Sequence, residues 1–244
     1  VSNAAQYVRG KEPFILPRSS SYTGTLIDDL VSKEMSEPYR MMTSRSEYRL
    51  LLRQDNADQR LTPLGRQIGM VDDHRWSLFE RKQEGMRDER KRLKETRVHP
   101  SEAWDDALVA CDEKLKQALT LEEILRRPRV PYTLIEQMVP AKVDGAFEWP
   151  LEIETEVKYE GYIARQKHQV EQAERLDGVK MPVDLDYLSV DNLSKEAREK
   201  LQRIRPETLG QAARIGGVSP ADVSVLMIIM EARRRSRRGG KIHS

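Results

Sequence analysis

The chain has 244 residues, enough for one or two domains with their own cores, and no apolar run approaches the roughly 20 residues that a membrane span requires. Charged residues make up 34% of it and aromatic residues only 6%, a profile of helices with wide solvated faces and not of a compact sheet enzyme. A net charge of +2 excludes binding to nucleic acid through overall basicity, so any such site must be local. A lone cysteine, Cys111, excludes an internal disulfide and fits a reducing, cytoplasmic setting.

In chain order, residues 1–10 read as a short helix, 11–21 as a loop with Pro13 and Pro17, and 25–31 as a second helix, with Pro38 as a breaker beyond it. Ser44 and Glu47 have the spacing of a capping box, which opens a predicted helix over 45–54. Arg45, Arg49 and Arg53 recur on it every fourth residue. That step drifts only about 40° around the axis, so the three guanidinium groups form one stripe, flanked by Arg40 and Arg60. Tyr48, Leu51 and Leu52 lie on another face and would anchor the helix to a core. Like charges four residues apart cost roughly 0.2–0.5 kcal/mol per pair. The stripe therefore either faces an anionic partner or pairs with acids such as Asp55 and Asp58.

Thr62-Pro63 has the form of a cap and first residue for a short helix ending near Gly69. Asp72 or Asp73 caps a longer one to about residue 97, mostly charged, with a narrow seam at Trp76, Phe79, Met86 and Leu93. From 100 to 150 the chain reads as short helices separated by Pro128, Pro131 and Pro140, with capping boxes at Thr120/Glu123 and Thr133/Glu136. Residues 145–150 resemble a linker. Residues 151–159 alternate apolar with charged, a strand period, yet run without a breaker into a strongly helical stretch. They are taken as one helix to about residue 176.

Three short helices close the chain. Ser194 caps the first through 204, Pro206 starts the second, which ends at Gly216-Gly217, and Ser219-Pro220 starts the third through about 234. The third is apolar almost all round at Val223, Val225, Leu226, Ile228 and Ile229, which predicts burial on more than one side. A basic run, 233–238, comes next and is expected to fray. These helices have the short turns of a helix-turn-helix, but the last is too apolar for a DNA-reading face.

None of His74, His99, His168 and His243 stands at a metal-ligand spacing from another donor, so no metal site is expected. Cys111 has no neighbouring base to activate it. Tyr159 and Tyr162 either stack on RNA bases, with Lys158 and Arg165 beside them, or pack internally.

The run from Glu37 to Leu50 resembles the Glu-Pro-Tyr-Arg-Met-x-Thr-Ser-Arg-x-Glu-Tyr-Arg-Leu signature of the GidA/MnmG family, flavoproteins that modify the wobble uridine of certain transfer RNAs. The likeness continues through Gly65-Arg66-Gln67-Ile68-Gly69, Asp72-Asp73-His74-Arg75-Trp76, the ten residues from Val157 to Gln166, and Leu209-Gly210-Gln211-Ala212-Ala213-Arg214-Ile215. It is weakest over 100–150. It implies a mostly α fold: a multi-helix C-terminal region ending in a small helical bundle. Residues 1–36 would be the tail of a preceding α/β FAD-binding domain, 37–148 a helical region with the arginine signature, and 149–244 a partner-binding bundle.

The chain has no Gly-x-Gly-x-x-Gly after a strand, the cradle a flavin pyrophosphate needs. Its start, Val1-Ser2-Asn3-Ala4-Ala5, resembles the tail of the family's last flavin-contacting motif, which marks Asn3 and Ala4 as a remnant of the FAD site. The expectation is a C-terminal fragment of a larger enzyme. By resemblance that enzyme is a homodimer that uses FAD and NADH. With the GTPase MnmE and a folate one-carbon donor it installs a carboxymethylaminomethyl or aminomethyl group at carbon 5 of the wobble uridine. The fragment itself is expected to hold no catalytic residue, no stably bound cofactor, no DNA and no membrane. Its expected tRNA contacts are Arg40, Arg45, Arg49, Arg53, Arg60, Lys158, Tyr159, Tyr162 and Arg165. Its expected contacts with MnmE are Leu209, Ile215, Val218, Val225 and Ile229. The alternative from another class is a free-standing helical adaptor that binds protein only.

Overall fold

The computed structural model describes residues 2–32, 38–141 and 149–239, with side chains through Arg233. Most of the predicted linker, and His243, lie outside the described residues, whereas the basic run 233–238, expected to fray, continues the last helix through Gly239. Twelve α-helices are described: α1 Ser2–Val8, α2 Tyr22–Ser32, α3 Ala57–Gln67, α4 Asp73–Glu95, α5 Glu102–Val109, α6 Leu121–Leu125, α7 Tyr132–Met138, α8 Pro150–Lys158, α9 Glu160–Asp177, α10 Lys195–Ile204, α11 Leu209–Arg214 and α12 Pro220–Gly239. The fold is mostly α, as expected. The only sheet among the described residues pairs β1 Arg97–Val98 with β2 Leu119–Thr120, antiparallel.

Two compact units share the chain: Val1–Leu16 with Tyr48–Gln166, and Pro17–Glu47 with Lys167–Ser244. Their border falls near residue 166, inside α9, and not at the linker-like run before residue 150. The reason is that Trp149, Ile153 and Val157 of the α8 region belong to the core of the first unit.

That core gathers Met86 and Leu93 of α4, Trp104 and Leu108 of α5, Leu121, Ile124 and Leu125 of α6, and Tyr132 and Ile135 of α7. The charged helix α4 contributes a narrow seam, as its spacing predicts. Asp72 caps it by accepting from the Arg75 N–H at 2.7 Å, and Arg92 and Lys94 suit its negative end. Its seam also buries Glu89, which accepts from the Arg92 guanidinium and from the Tyr132 hydroxyl at 3.0 Å. The Thr120/Glu123 capping box forms with both reciprocal bonds. The Thr133/Glu136 box does not. Pro131 stands at the cap position of α7, and Glu154 of α8 accepts the first free N–H, from Tyr132, at 2.8 Å.

The alternation over 151–159 is helical after all. Ile153 and Val157 are buried one turn apart, while Leu151 faces solvent. Glu152 breaks the pattern by being buried, where Lys82 of α4 pairs with it at 2.8 Å. The expected single helix is two, α8 and α9, separated at Tyr159.

Two other expectations fail. Helix α3 begins five residues before Thr62 and carries Pro63 inside it. Asn56 precedes it, giving its side-chain N–H to Leu51 O and accepting from Arg60 Nε, both at 3.0 Å. These bonds hold the entry to the helix without capping it, and its other backbone bonds outweigh the one Pro63 cannot make. The helix expected over 45–54 is absent. A 3-10 turn at Thr43–Arg45 is followed by a single turn in which the Leu51 and Leu52 N–H groups both donate to Tyr48 O. Tyr48 and Leu52 are buried as foreseen, but on a turn.

In the second unit α10, α11 and α12 form the terminal bundle around Leu201, Leu209, Ala212, Ile215 and Leu226. Ser194 caps α10 through the Ala197 N–H. Helix α11 starts at Thr208, not Pro206, because the Thr208 hydroxyl accepts the Gln211 N–H and Gln211 Oε1 accepts the Glu207 N–H. A Cβ on Gly210 would lie 2.0 Å from Asp177 Oδ1, so glycine there lets the end of α9 close on α11.

Asp222, buried near the start of α12, accepts from the backbone N–H and hydroxyl of both Ser194 and Ser219. Burial alone would raise its pKa, but the bonds from Ser219 and Ser194 outweigh it and hold the carboxyl below its ordinary value. Its contribution is therefore complete above the unfolded pKa of about 3.9 and is lost as pH falls from there through the lower folded value. Asp222→Asn is expected to cost about 1–3 kcal/mol at neutral pH, and the gap to the parent should close as pH drops below about 4. Urea midpoints at about pH 7 and about pH 3 check this; an equal gap at both rules out the carboxylate as its source.

Candidate nucleic-acid interface

The signature residues sit on a segment, 38–47, that is tied down from beneath. Arg18, buried to 7% exposure, comes from the proline loop ahead of α2. Its Nη1 donates to Asp28 and, at 3.0 Å, to the fully buried Asp29, both on α2. Its Nη2 donates to Glu47 Oε1 at 2.8 Å. Tyr39, at the other end of the segment, donates its hydroxyl to Asp29 Oδ2 at 2.8 Å. Burial disfavours the Arg18 charge, yet its bonds to Glu47 and Asp29 more than compensate and raise its pKa. The Tyr39 phenol is also pushed up, by burial and then by the bond to Asp29. Arg214 of α11 extends the network, reaching Asp28 at 3.2 Å and Asp177 at 3.0 Å.

Between these ties Arg40 and Arg45 are exposed, with the Arg45 guanidinium 5.5 Å from the centre of the Tyr39 ring. Glu47 thus serves as an anchor for Arg18, and no α-helix follows Ser44 for it to cap. Neither Arg18 nor Asp29 was marked by its spacing. Their partners are remote in sequence, and only an arginine amid a proline loop could have hinted at them.

The stripe of three arginines does not exist, because the helix that would align them is not there. Arg49 is exposed on the turn after Tyr48. Arg53 folds back, giving Nε to Asp55 at 3.0 Å and Nη1 to Leu50 O at 2.8 Å. Arg60 spends Nε on Asn56 and Nη2 on Arg53 O. Lys158 donates to Glu154 at 2.7 Å and to Pro128 O at 3.1 Å. Pairing with Asp55, one of the two readings of the stripe, therefore holds for Arg53, and Arg60 and Lys158 are likewise engaged within the chain. Arg40, Arg45 and Arg49 remain turned to solvent.

In the first unit, Tyr159 and Tyr162 flank the α8–α9 break. They are 46% and 60% exposed, with ring centroids 6.4 Å apart. Neither ring is therefore a core packing residue, and each keeps a large part of its surface open to solvent. Arg165, one turn on from Tyr162, is exposed as well. Between the tyrosines, Glu160 carries counter-charges from Arg90 and Arg126.

The residues expected to meet a partner protein are divided. Leu209 and Ile215 lie inside the bundle core and cannot touch a partner without opening it. Val218, Val225 and Ile229 are half-buried against that core. The exposed apolar side chains of α12 are Met227 and, at 67%, Ile228, so this helix is not buried on several sides. Ile228 is two residues on from the buried Leu226, on the far side of the helix.

Asn3 and Ala4 lie in the first turn of α1. Asn3 Oδ1 is engaged by the Phe14 N–H at 2.6 Å, and Ala4 offers an exposed methyl on a seven-residue helix. Among the described residues no group of three His, Cys, Asp or Glu side chains is placed to hold a metal, and no helix is long and apolar enough to cross a membrane.

Residues 73–167 match the family model described as the tRNA modifying enzyme MnmG/GidA C-terminal helical domain, and residues 169–244 match that of its C-terminal helical bundle. Similar full-length proteins include the tRNA uridine 5-carboxymethylaminomethyl modification enzyme MnmG of Synechocystis sp. and that of Streptococcus suis. Each is 48% identical over 96% of this chain. The chain spans 37% of the length of these relatives. Among solved structures, Aquifex aeolicus GidA in its form II crystal superposes with a TM-score of 0.74 at 34% identity, over 94% of this chain and 36% of that one.

Proposed function

Because the chain belongs to the MnmG/GidA family, whose C-terminal helical region it comprises, we propose that it is the RNA- and partner-binding part of a tRNA wobble-uridine modification enzyme. In this reading the whole enzyme is a cytoplasmic homodimer that uses FAD and NADH. With the GTPase MnmE it builds a carboxymethylaminomethyl or aminomethyl group at carbon 5 of the uridine. The residues described here hold substrate and partner and do none of the bond-making.

The observation that carries the reading is the exposed Tyr159/Tyr162 pair. Single-stranded loops, such as an anticodon loop, are gripped by stacking their bases on aromatic faces. Arg165 near that pair, and Arg40, Arg45 and Arg49 elsewhere, supply charge for phosphates. The exposed Met227 and Ile228 of α12 are the natural contacts for MnmE in place of Leu209 and Ile215, which are buried.

The test is the salt dependence of tRNA affinity. Each phosphate neutralised adds roughly 0.7–0.9 to the slope of log affinity against log salt. Replacing Arg40, Arg45 and Arg49 by glutamine should flatten the slope by about two units if all three engage. Arg53→Gln should leave it unchanged, since Arg53 is committed to Asp55 and Leu50. A parent chain with no salt-dependent tRNA affinity would instead indicate the adaptor that binds protein only.

A further inference from the structure

We propose that Glu47 and Tyr39 are positioning residues for RNA contact: through Arg18 and Asp29 they clamp both ends of segment 38–47 and hold Arg40 and Arg45 outward. The proposal rests on the reading of that segment as facing RNA.

The clamp is built from unlike parts. Arg18 and Asp29 are buried, and each serves a partner at the segment: Arg18 holds Glu47, and Asp29 holds the Tyr39 hydroxyl. Glu47 keeps half of its side chain in solvent while the Arg18 side chain keeps only 6%. A carboxylate so exposed is well hydrated and does not need Arg18 for solvation. What the bond adds is a fixed end for the segment. The only regular structure inside the segment is the three-residue turn Thr43–Arg45, too short to hold itself. The Tyr39 ring, oriented by its hydroxyl bond, also lies under the Arg45 guanidinium. Two exposed cations on a clamped segment meet phosphates with less freedom left to lose than on a loose one.

The sign of the Glu47 effect separates positioning from plain electrostatics. Removing a negative charge beside arginines should by itself strengthen binding to a polyanion. If Glu47 positions the arginines, removing its charge should weaken binding.

The experiment measures affinity of the whole chain for an unmodified tRNA transcript with uridine at the wobble position, in the parent and in an Arg40→Gln/Arg45→Gln background. Glu47→Gln and Tyr39→Phe are each expected to weaken binding about five- to tenfold in the parent and to have no effect in the double-glutamine background. Unchanged or tighter binding of Glu47→Gln in the parent overturns the proposal. So does a loss that persists in the double-glutamine background, because the residue would then act through something other than these arginines. Should Glu47→Gln lower the melting midpoint by more than a few degrees, Tyr39→Phe decides alone, since it changes no charge. If the double-glutamine variant itself binds like the parent, the RNA reading of this segment fails, a result distinct from failure of the clamp.

Discussion

Arg18→Ala is expected to remove about 3–5 kcal/mol from the stability of the second unit, the cost of taking one partner from a buried ion pair. The reason is Asp29. It is fully buried, and the variant would take from it the guanidinium that faces it at 3.0 Å. Asp28 would keep Arg214, and Glu47 would return to water. Lysine is not a substitute, because one ammonium cannot span the fork from Asp28 and Asp29 on one side to Glu47 on the other. Replacing Arg18 and Asp29 together by methionine and leucine should be milder than Arg18→Ala, since the buried carboxylate is then removed along with the guanidinium that faces it. Urea denaturation followed by far-ultraviolet circular dichroism measures these differences. A loss below about 1 kcal/mol for Arg18→Ala would show that water reaches Asp29 and that the network is not the tie described.

The second large effect concerns RNA. Tyr159→Ala and Tyr162→Ala should each weaken tRNA binding by about 1–3 kcal/mol, roughly tenfold or more, which is the worth of one base stacked on an aromatic face. The salt slope should hardly change, because no phosphate contact is removed. Stability should stay within about 0.5 kcal/mol, since both rings are exposed. Phenylalanine at either position should keep most of the affinity. Unaltered tRNA affinity in the double alanine variant would remove the observation on which the RNA-binding reading rests, and a changed salt slope would show that the tyrosines contact the backbone through their hydroxyls.

These two expectations draw on different levels of information. Tyr159 and Tyr162 were visible in the sequence as a pair on one helical face, but not their exposure. Whether an aromatic pair packs or faces water depends on which elements lie across from it, and those come from distant parts of the chain. Arg18 and Asp29 were not visible as a site at all, because a buried ion pair between a loop and a helix leaves no period or local spacing.

What the sequence determined by itself is the set of elements governed by bonds within a few residues. Asp72, Thr120 with Glu123, Ser194 and Ser219-Pro220 mark helix starts where the caps are found, since a cap and the N–H groups it satisfies are three residues apart. The narrow seam of α4 arises from its apolar spacing in the same way. The family is legible too, since its signature is a run of contiguous residues. Tertiary structure alone decided the rest. The Ser44/Glu47 spacing was a valid local signal, but the carboxylate is bound by Arg18, 29 positions earlier in the chain, and without its capping partner the helix over 45–54 does not form. Glu152 sat in a charged register and is buried because Lys82, on another helix, meets it there. In each case a local preference worth about 1 kcal/mol gave way to a charge-assisted bond of comparable or greater strength with a partner that only the folded chain brings near.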